Sequence, residues 1–220
     1  MSAILIFDLD DTLYPEHTYV ESGFKAVAAL LHHRFGWPQA DSVAFMADVL
    51  KTEGRGMIFN NLLESRGVHS KRLVKDCIDA YRHHIPDIKL YPVAKKLLKD
   101  SKYSLYLLTD GHKIVQYKKI KSLNIEHFFK KVFITHRYGV KNAKPSLHCF
   151  ELIRNIEKCS WDEMVYVGDN PKKDFVNLNK VGAHTIRVLT GRHKDDVAKP
   201  GFEARKIIRN LKELEFFTET

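Results

Sequence analysis

Residues 3–12 read Ala3-Ile4-Leu5-Ile6-Phe7-Asp8-Leu9-Asp10-Asp11-Thr12, and how this stretch is read decides the fold. Five apolar residues in a row suit a short strand buried on both faces, the kind found inside a parallel sheet. The run empties into three aspartates on one turn. Side chains two apart on an extended chain project the same way, so Asp8 and Asp10 stand in each other's field, and like charges so close repel. A solvated acidic turn would dissipate that repulsion in water, whereas a cation held among the carboxylates would offset it. Other parts of the chain have to decide between these two readings.

At 220 residues the chain can hold a full core, or one core with a smaller domain inserted in it. With 44% hydrophobic residues it is expected to be globular. Its 36 Lys and Arg against 27 Asp and Glu leave a formal charge of +9, which favours anionic partners: phosphorylated metabolites, nucleic acid or an acidic surface. The basic residues come in short clusters such as Lys118-Lys119 and Lys172-Lys173, without a block of five or six that would form a nucleic-acid arm. The charge therefore reads first as a steering field. Cys77, Cys149 and Cys159 are odd in number and lack C-x-x-C spacing, which argues against a disulfide framework or a zinc site and for buried free thiols. No stretch approaches the roughly 18 apolar residues of a membrane span, and the opening run is too short for a signal peptide. A soluble, cytoplasmic protein is expected.

Beyond Tyr14-Pro15 the pattern turns helical, with Val20, Phe24, Val27, Ala28 and Leu31 at helix spacing over 20–35. Further helices are predicted over 41–50, 57–65 and 73–84, with Glu53-Gly54-Arg55-Gly56 breaking the pattern after the first of them. A strand returns only at 103–108, followed by Thr109-Asp110-Gly111 and a helix carrying Ile114, Tyr117, Ile120 and Leu123. From there strand and helix alternate: strands over 132–134, 164–167 and 185–188, helices over 146–157 and 171–181. That rhythm predicts a doubly wound α/β fold, a parallel sheet covered on both faces. The tail 205–216 puts Ile207, Ile208, Leu211 and Leu214 on one helical face, predicting a last covering helix. The economical domain division is a core of residues 1–15 and 91–220 interrupted by a helical insertion over 16–90.

In open α/β sheets ligands bind beyond the carboxyl ends of the strands. The residues leaving those ends are Asp8 and Asp10, then Thr109-Asp110-Gly111, then Lys144-Pro145 before a helix, then Gly168-Asp169-Asn170 with Asp174 further on. A nucleophile, a hydroxyl, a cation and further carboxylates together suit phosphoryl transfer. The ordered set D-x-D-x-T, T-D-G, K-P and G-D-N-x-x-x-D resembles the haloacid dehalogenase (HAD) superfamily of aspartate-nucleophile hydrolases over nearly the whole chain. The resemblance implies a Rossmann-like core with a helical cap inserted after the first motif, where this sequence carries its helical stretch.

By that resemblance Asp8 would attack phosphorus and form an aspartyl phosphate, and Asp10 would protonate the leaving oxygen and later take a proton from water. Mg2+ would be held by Asp8, the main-chain carbonyl of Asp10 and Asp169. The Thr109 hydroxyl and the backbone N–H groups of Asp110 and Gly111 would hold phosphoryl oxygens, and the Lys144 ammonium would neutralise charge. Lys141 is a rival three residues upstream; Lys144 is preferred because Lys-Pro matches the motif and Pro145 can sit in the first turn of the next helix. Asp174 would orient Lys144 or reach the metal through water, and Thr12 closes the first motif in a supporting role. Asp11 and Asp110 read as supporting hydrogen-bonders.

An aspartate two residues after the nucleophile is the pattern of the family's phosphatases and phosphomutases, not of its dehalogenases. Hydrolysis of a small phosphorylated metabolite, a sugar phosphate or a nucleotide, is the expected reaction. A phosphomutase, or a nucleic-acid-directed phosphatase or binding module favoured only by the charge, are the alternatives. In capped members the insertion closes over the site and leaves little room for a macromolecule, so nucleic acid is not the expected partner. Arg55, flanked by two glycines, is the candidate reader of a second anionic group on the substrate.

Overall fold

The computed structural model describes residues 4–217. In chain order the elements are β1 (Ile4–Phe7), α1 (Glu16–Phe35), α2 (Gln39–Thr52), α3 (Ile58–Glu64), α4 (Lys71–His83), α5 (Pro92–Asp100), β2 (Ser104–Thr109), α6 (Lys113–Leu123), β3 (Lys131–Ile134), α7 (His148–Glu157), β4 (Met164–Gly168), α8 (Val176–Val181), β5 (His184–Val188) and β6 (Lys206–Ile208). The six strands form one parallel sheet in the order β3-β2-β1-β4-β5-β6. Strand β1 lies in register between β2 and β4, Ile6 beside Tyr106 on one side and Tyr166 on the other. All four of its residues are buried, as a central strand covered on both faces requires. The chain winds outward from β1 to β3 and then returns to β4 on the other side, so the order reverses between β1 and β4. At such a reversal the loops beyond the two strands diverge and leave a crevice.

The chain divides into two compact units. One runs to Glu16 and resumes at Lys89; the other is His17–Ile88. In the first, one face of the sheet (Ile4, Ile6, Tyr106, Leu108, Met164, Tyr166) packs on Phe150 and Ile153 of α7 and on Phe175 and Leu178. The second is all helical, with Phe24, Val27, Ala28 and Leu31 of α1 meeting Met46 of α2, Leu62 and Leu63 of α3 and Cys77 of α4 in a core of its own. Each α1 residue in that set comes from the helical stripe seen in the sequence.

Three expectations are corrected. The tail is not a helix: Lys206–Ile208 pairs in parallel with β5 as an edge strand, and Leu211–Phe217 follows as a 3-10 segment. Adjacent β-branched residues alternate in and out there, Ile207 at 46% exposure and Ile208 at 1%, which a helical face would not do. The helix expected from Pro171 starts only at Val176, because Pro171–Phe175 is drawn into a turn that hydrogen-bonds Asn170. Pro145 precedes α7 by three residues instead of opening it, and the Lys144-Pro145 bond is cis. Helix α5, which had no place in the sequence reading, starts with Pro92 at its first turn. The three cysteines are free thiols, Cys77 and Cys149 buried and Cys159 half-buried. Among the described residues no helix is long and apolar enough to cross a membrane.

Candidate active site

Strands β1 and β4 end side by side, and the Asp8 backbone N–H donates to the Val167 carbonyl at 2.9 Å. The side chains leaving these two ends are Asp8 and Asp169, both buried. Asp174 joins them from the turn after β4, and carboxylate oxygens of all three lie within 4.8 Å of one another. Gly168 makes this approach possible: a Cβ there would come within 2.6 Å of Asp174 Oδ2. The turn is held by Asp174 Oδ2, which accepts the Asn170 N–H at 2.9 Å.

Such a cluster has to be compensated. Lys144 supplies part of the charge, its ammonium 3.0 Å from Asp8 Oδ1 and 2.7 Å from Asp174 Oδ1, with the Tyr166 hydroxyl at 2.8 Å. Burial pulls this lysine's pKa down, but Asp174 and Asp8 outweigh it and hold the group well above its ordinary value, so it stays charged. One ammonium does not balance three carboxylates. Burial, with Asp174 and other carboxylates adding to it, pushes Asp8 up to about 7 against the pull of Lys144. Burial, then Asp174 and Asp8, push Asp169 to about 9. Three oxygen-donor groups with a surplus of negative charge, two of them reluctant to ionise alone, fit a hard divalent cation such as Mg2+.

Asp10 faces a different set of partners. Its Oδ1 takes the Lys119 ammonium at 2.6 Å and the Tyr14 hydroxyl at 2.5 Å, and its Oδ2 takes Gln116 Nε2 at 2.8 Å. Burial pushes this carboxyl up, but Lys119 and the hydrogen bonds from Lys119, Tyr14 and Gln116 prevail and leave it below the ordinary range. Two aspartates two residues apart thus have opposite proton affinities, set by their neighbours.

Thr109 closes β2, fully buried, with its Oγ1 at 2.6 Å from Gln116 Nε2. The Asp110 carboxylate is engaged within the protein: Oδ1 accepts the Thr135 hydroxyl at 2.7 Å and the Lys144 N–H at 3.1 Å, and Oδ2 pairs with Lys173 at 2.9 Å. It fastens the ends of β2 and β3 to the loops bearing Lys144 and Lys173. Asp11 does the same elsewhere. In a left-handed backbone conformation (φ 56°), it accepts the Glu16 N–H at 2.8 Å and the Arg192 N–H at 3.2 Å. Thr12 Oγ1 is buried without a hydrogen-bond partner among the described residues. Gly111 (φ 135°) leads from β2 toward α6. Arg55 belongs to the second unit, exposed in the bend between α2 and α3.

Three contributors lie outside the sequence motifs. Tyr166 reads in the sequence only as a strand residue, although a buried tyrosine needs a partner for its hydroxyl. Gln116 and Lys119 carry no such signal in the sequence, because the apolar residues of α6 point to a stripe through Ile114 and Tyr117. The buried face is instead Gln116, Lys119, Ile120 and Leu123, and Tyr117 is 44% exposed.

A doubly wound parallel sheet that gathers acidic groups and a lysine at its switch point defines a hydrolase-type α/β protein with an acidic site able to hold a metal ion. The haloacid dehalogenase-like hydrolase pattern matches residues 5–188, and the chain belongs to that family. It is similar to the glyceraldehyde 3-phosphate phosphatase of Methanocaldococcus jannaschii, 29% identical over 87% of this chain and 86% of the relative. The enzyme of the same name from Methanopyrus kandleri is 29% identical over 97% of this chain and 99% of its own length. In fold the chain is similar to a HAD-hydrolase from Bacillus subtilis solved bound to magnesium, with a TM-score of 0.68 at 20% identity over 100% of this chain and 99% of the other.

Proposed function

We propose that the protein is a Mg2+-dependent phosphatase that hydrolyses a small phosphorylated metabolite through an aspartyl phosphate on Asp8, with a triose phosphate such as glyceraldehyde 3-phosphate as the first substrate to test. The observation that carries this reading is the Lys144 ammonium 3.0 Å from Asp8, with Asp169 and Asp174 completing a buried carboxylate cluster. The names of the two archaeal relatives support the substrate. Asp8 and Asp169 would hold the ion, with Asp174 beside them already engaged to Lys144 and Asn170. Bound Mg2+ supplies charge neutralisation for a phosphate dianion approaching these carboxylates.

An Asp8 oxygen bonds to phosphorus as the bond from phosphorus to the leaving oxygen breaks. Asp10, once protonated, gives that oxygen its proton, then takes one from the water that attacks the aspartyl phosphate; phosphate leaves, the Asp8 carboxylate is restored and Asp10 is again protonated. Before substrate arrives the burial of Asp10 is outweighed by Lys119, Tyr14 and Gln116, which favour its ionised form, so the proton for the first turnover has to be taken up from solvent. Lys144 neutralises the nucleophile and the transferred group, and Thr109 donates to a phosphoryl oxygen.

The test is hydrolysis of glyceraldehyde 3-phosphate and of an aryl phosphate with and without magnesium, in wild type and in Asp8→Asn. Turnover that needs the metal and disappears in the variant is the expected result. Full activity in excess chelator, or in Asp8→Asn, would refute the mechanism.

A further inference from the structure

Gln116 and Lys119 stand three residues apart on one face of α6, and both are almost wholly buried, at 1% and 3% exposure. An amide and an ammonium on the inner face of a helix are costly unless fully partnered. The side-chain contacts that anchor them reach the ends of β1 and β2. Lys119 Nζ reaches Asp10 Oδ1 at 2.6 Å. Gln116 Nε2 reaches Asp10 Oδ2 at 2.8 Å, Thr109 Oγ1 at 2.6 Å and the Asp110 carbonyl at 2.8 Å. Both oxygens of Asp10 are therefore held from α6, with Tyr14 closing the remaining side.

The contact with Thr109 has a direction. Gln116 Nε2 can only donate, sharing its two hydrogens among three acceptors, so Thr109 Oγ1 accepts there and keeps its own proton for another acceptor. One amide thus orients the hydroxyl at the end of β2 as a donor while it braces the carboxylate after β1. A lysine serving only to neutralise Asp10 would not require a glutamine one turn earlier that reaches a second strand end.

We infer that Gln116 and Lys119 are positioning residues of the hydrolysis, aiming the Asp10 carboxyl at the leaving oxygen and the Thr109 hydroxyl at the phosphoryl group from one helix face. The inference rests on the phosphatase reading and adds two residues to it, neither of which touches the reacting atoms.

Leaving-group dependence tests it. An alkyl phosphate needs a proton on its departing oxygen and dinitrophenyl phosphate does not, so a misaimed Asp10 harms only the first. The quantity to compare is kcat/KM, which reports phosphoryl transfer to Asp8 and not the later attack of water. Lys119→Met is expected to lose about 100-fold or more on the alkyl ester and less than about tenfold on the dinitrophenyl ester, with Asp10→Asn showing the same selectivity. Equal losses on both esters, or no loss on either, would overturn the inference while leaving the phosphatase reading intact. A wild-type protein that turns over neither ester fails the phosphatase reading itself and the inference with it. Should Lys119→Met not fold, Lys119→Gln carries the same comparison.

Discussion

Lys141 and Lys144 stand three residues apart in one loop, and their surroundings separate them completely. Lys141 is exposed, whereas Lys144 is buried between Asp8, Asp174 and Tyr166. Replacing Lys144 by Ala strands two carboxylates without their cation, so a loss of at least about 100-fold in kcat is expected, on the scale of removing a donor to a developing oxyanion. Lys141→Ala should stay within about twofold, since a solvated lysine contributes little. Steady-state kinetics of both variants settle the assignment, and a crippled Lys141→Ala would reverse it. At this scale the apolar runs placed Asp8, Asp10, Thr109 and Asp169 beyond strand ends, while the roles expected of them and of Asp174 came from the resemblance to the family and not from spacing. The sequence was silent on Lys119 and Gln116, because a lysine and a glutamine on a helix look solvated until the helix is docked. Which face of α6 turns inward depends on the packing of its neighbours, and four apolar positions did not define it.

Among the elements, β6 shows how far periodicity alone can mislead. Ile207, Ile208, Leu211 and Leu214 fit a helical stripe, and Ile208, Leu211 and Leu214 are indeed buried. Ile207 is not, because three residues from Lys206 pair with β5 and throw alternate side chains to opposite sides. The available strand edge of β5, a tertiary fact, overrode a local pattern. The two isoleucines give a direct check by urea unfolding. Ile208→Ala should cost about 2–5 kcal/mol, as for other buried isoleucines, and Ile207→Ala less than about 1 kcal/mol. Comparable costs for both would support a helical face instead. The loop before β6 is similarly constrained at Gly191 (φ 66°), where a Cβ would lie 2.0 Å from Asp11 Cγ. From β2 to β5 the alternation of strand and helix was legible, since strands inside a parallel sheet write continuous apolar runs and the helices between them write amphipathic ones.

For the molecule as a whole, gathering acidic groups at a switch point exchanges stability for a site that wants a cation. Asp8 is raised to about 7 and Asp169 to about 9 from an ordinary value of 3.8, each chiefly by burial. Groups raised in this way bind protons more tightly folded than unfolded, so the stability they contribute is complete below about pH 3.8 and is lost as pH rises through 7 and then 9. Asp10 and Asp110, both lowered, act in the opposite sense, but only on acidification below the ordinary carboxylate range. In chelator, the melting temperature should therefore fall between about pH 5 and pH 9, by roughly 5–10 °C if a few kcal/mol are at stake. Under the proposed assignment magnesium would bind the ionised carboxylates and compete with their protons, so its stabilising effect should be small at the acid end and grow with pH. Asp169→Asn removes one of the competing charges, and should flatten the chelator profile while weakening the magnesium response. Scanning calorimetry of both proteins, with and without the metal, measures all four curves. A magnesium shift of the same size at every pH would mean that the ion is not held by these carboxylates.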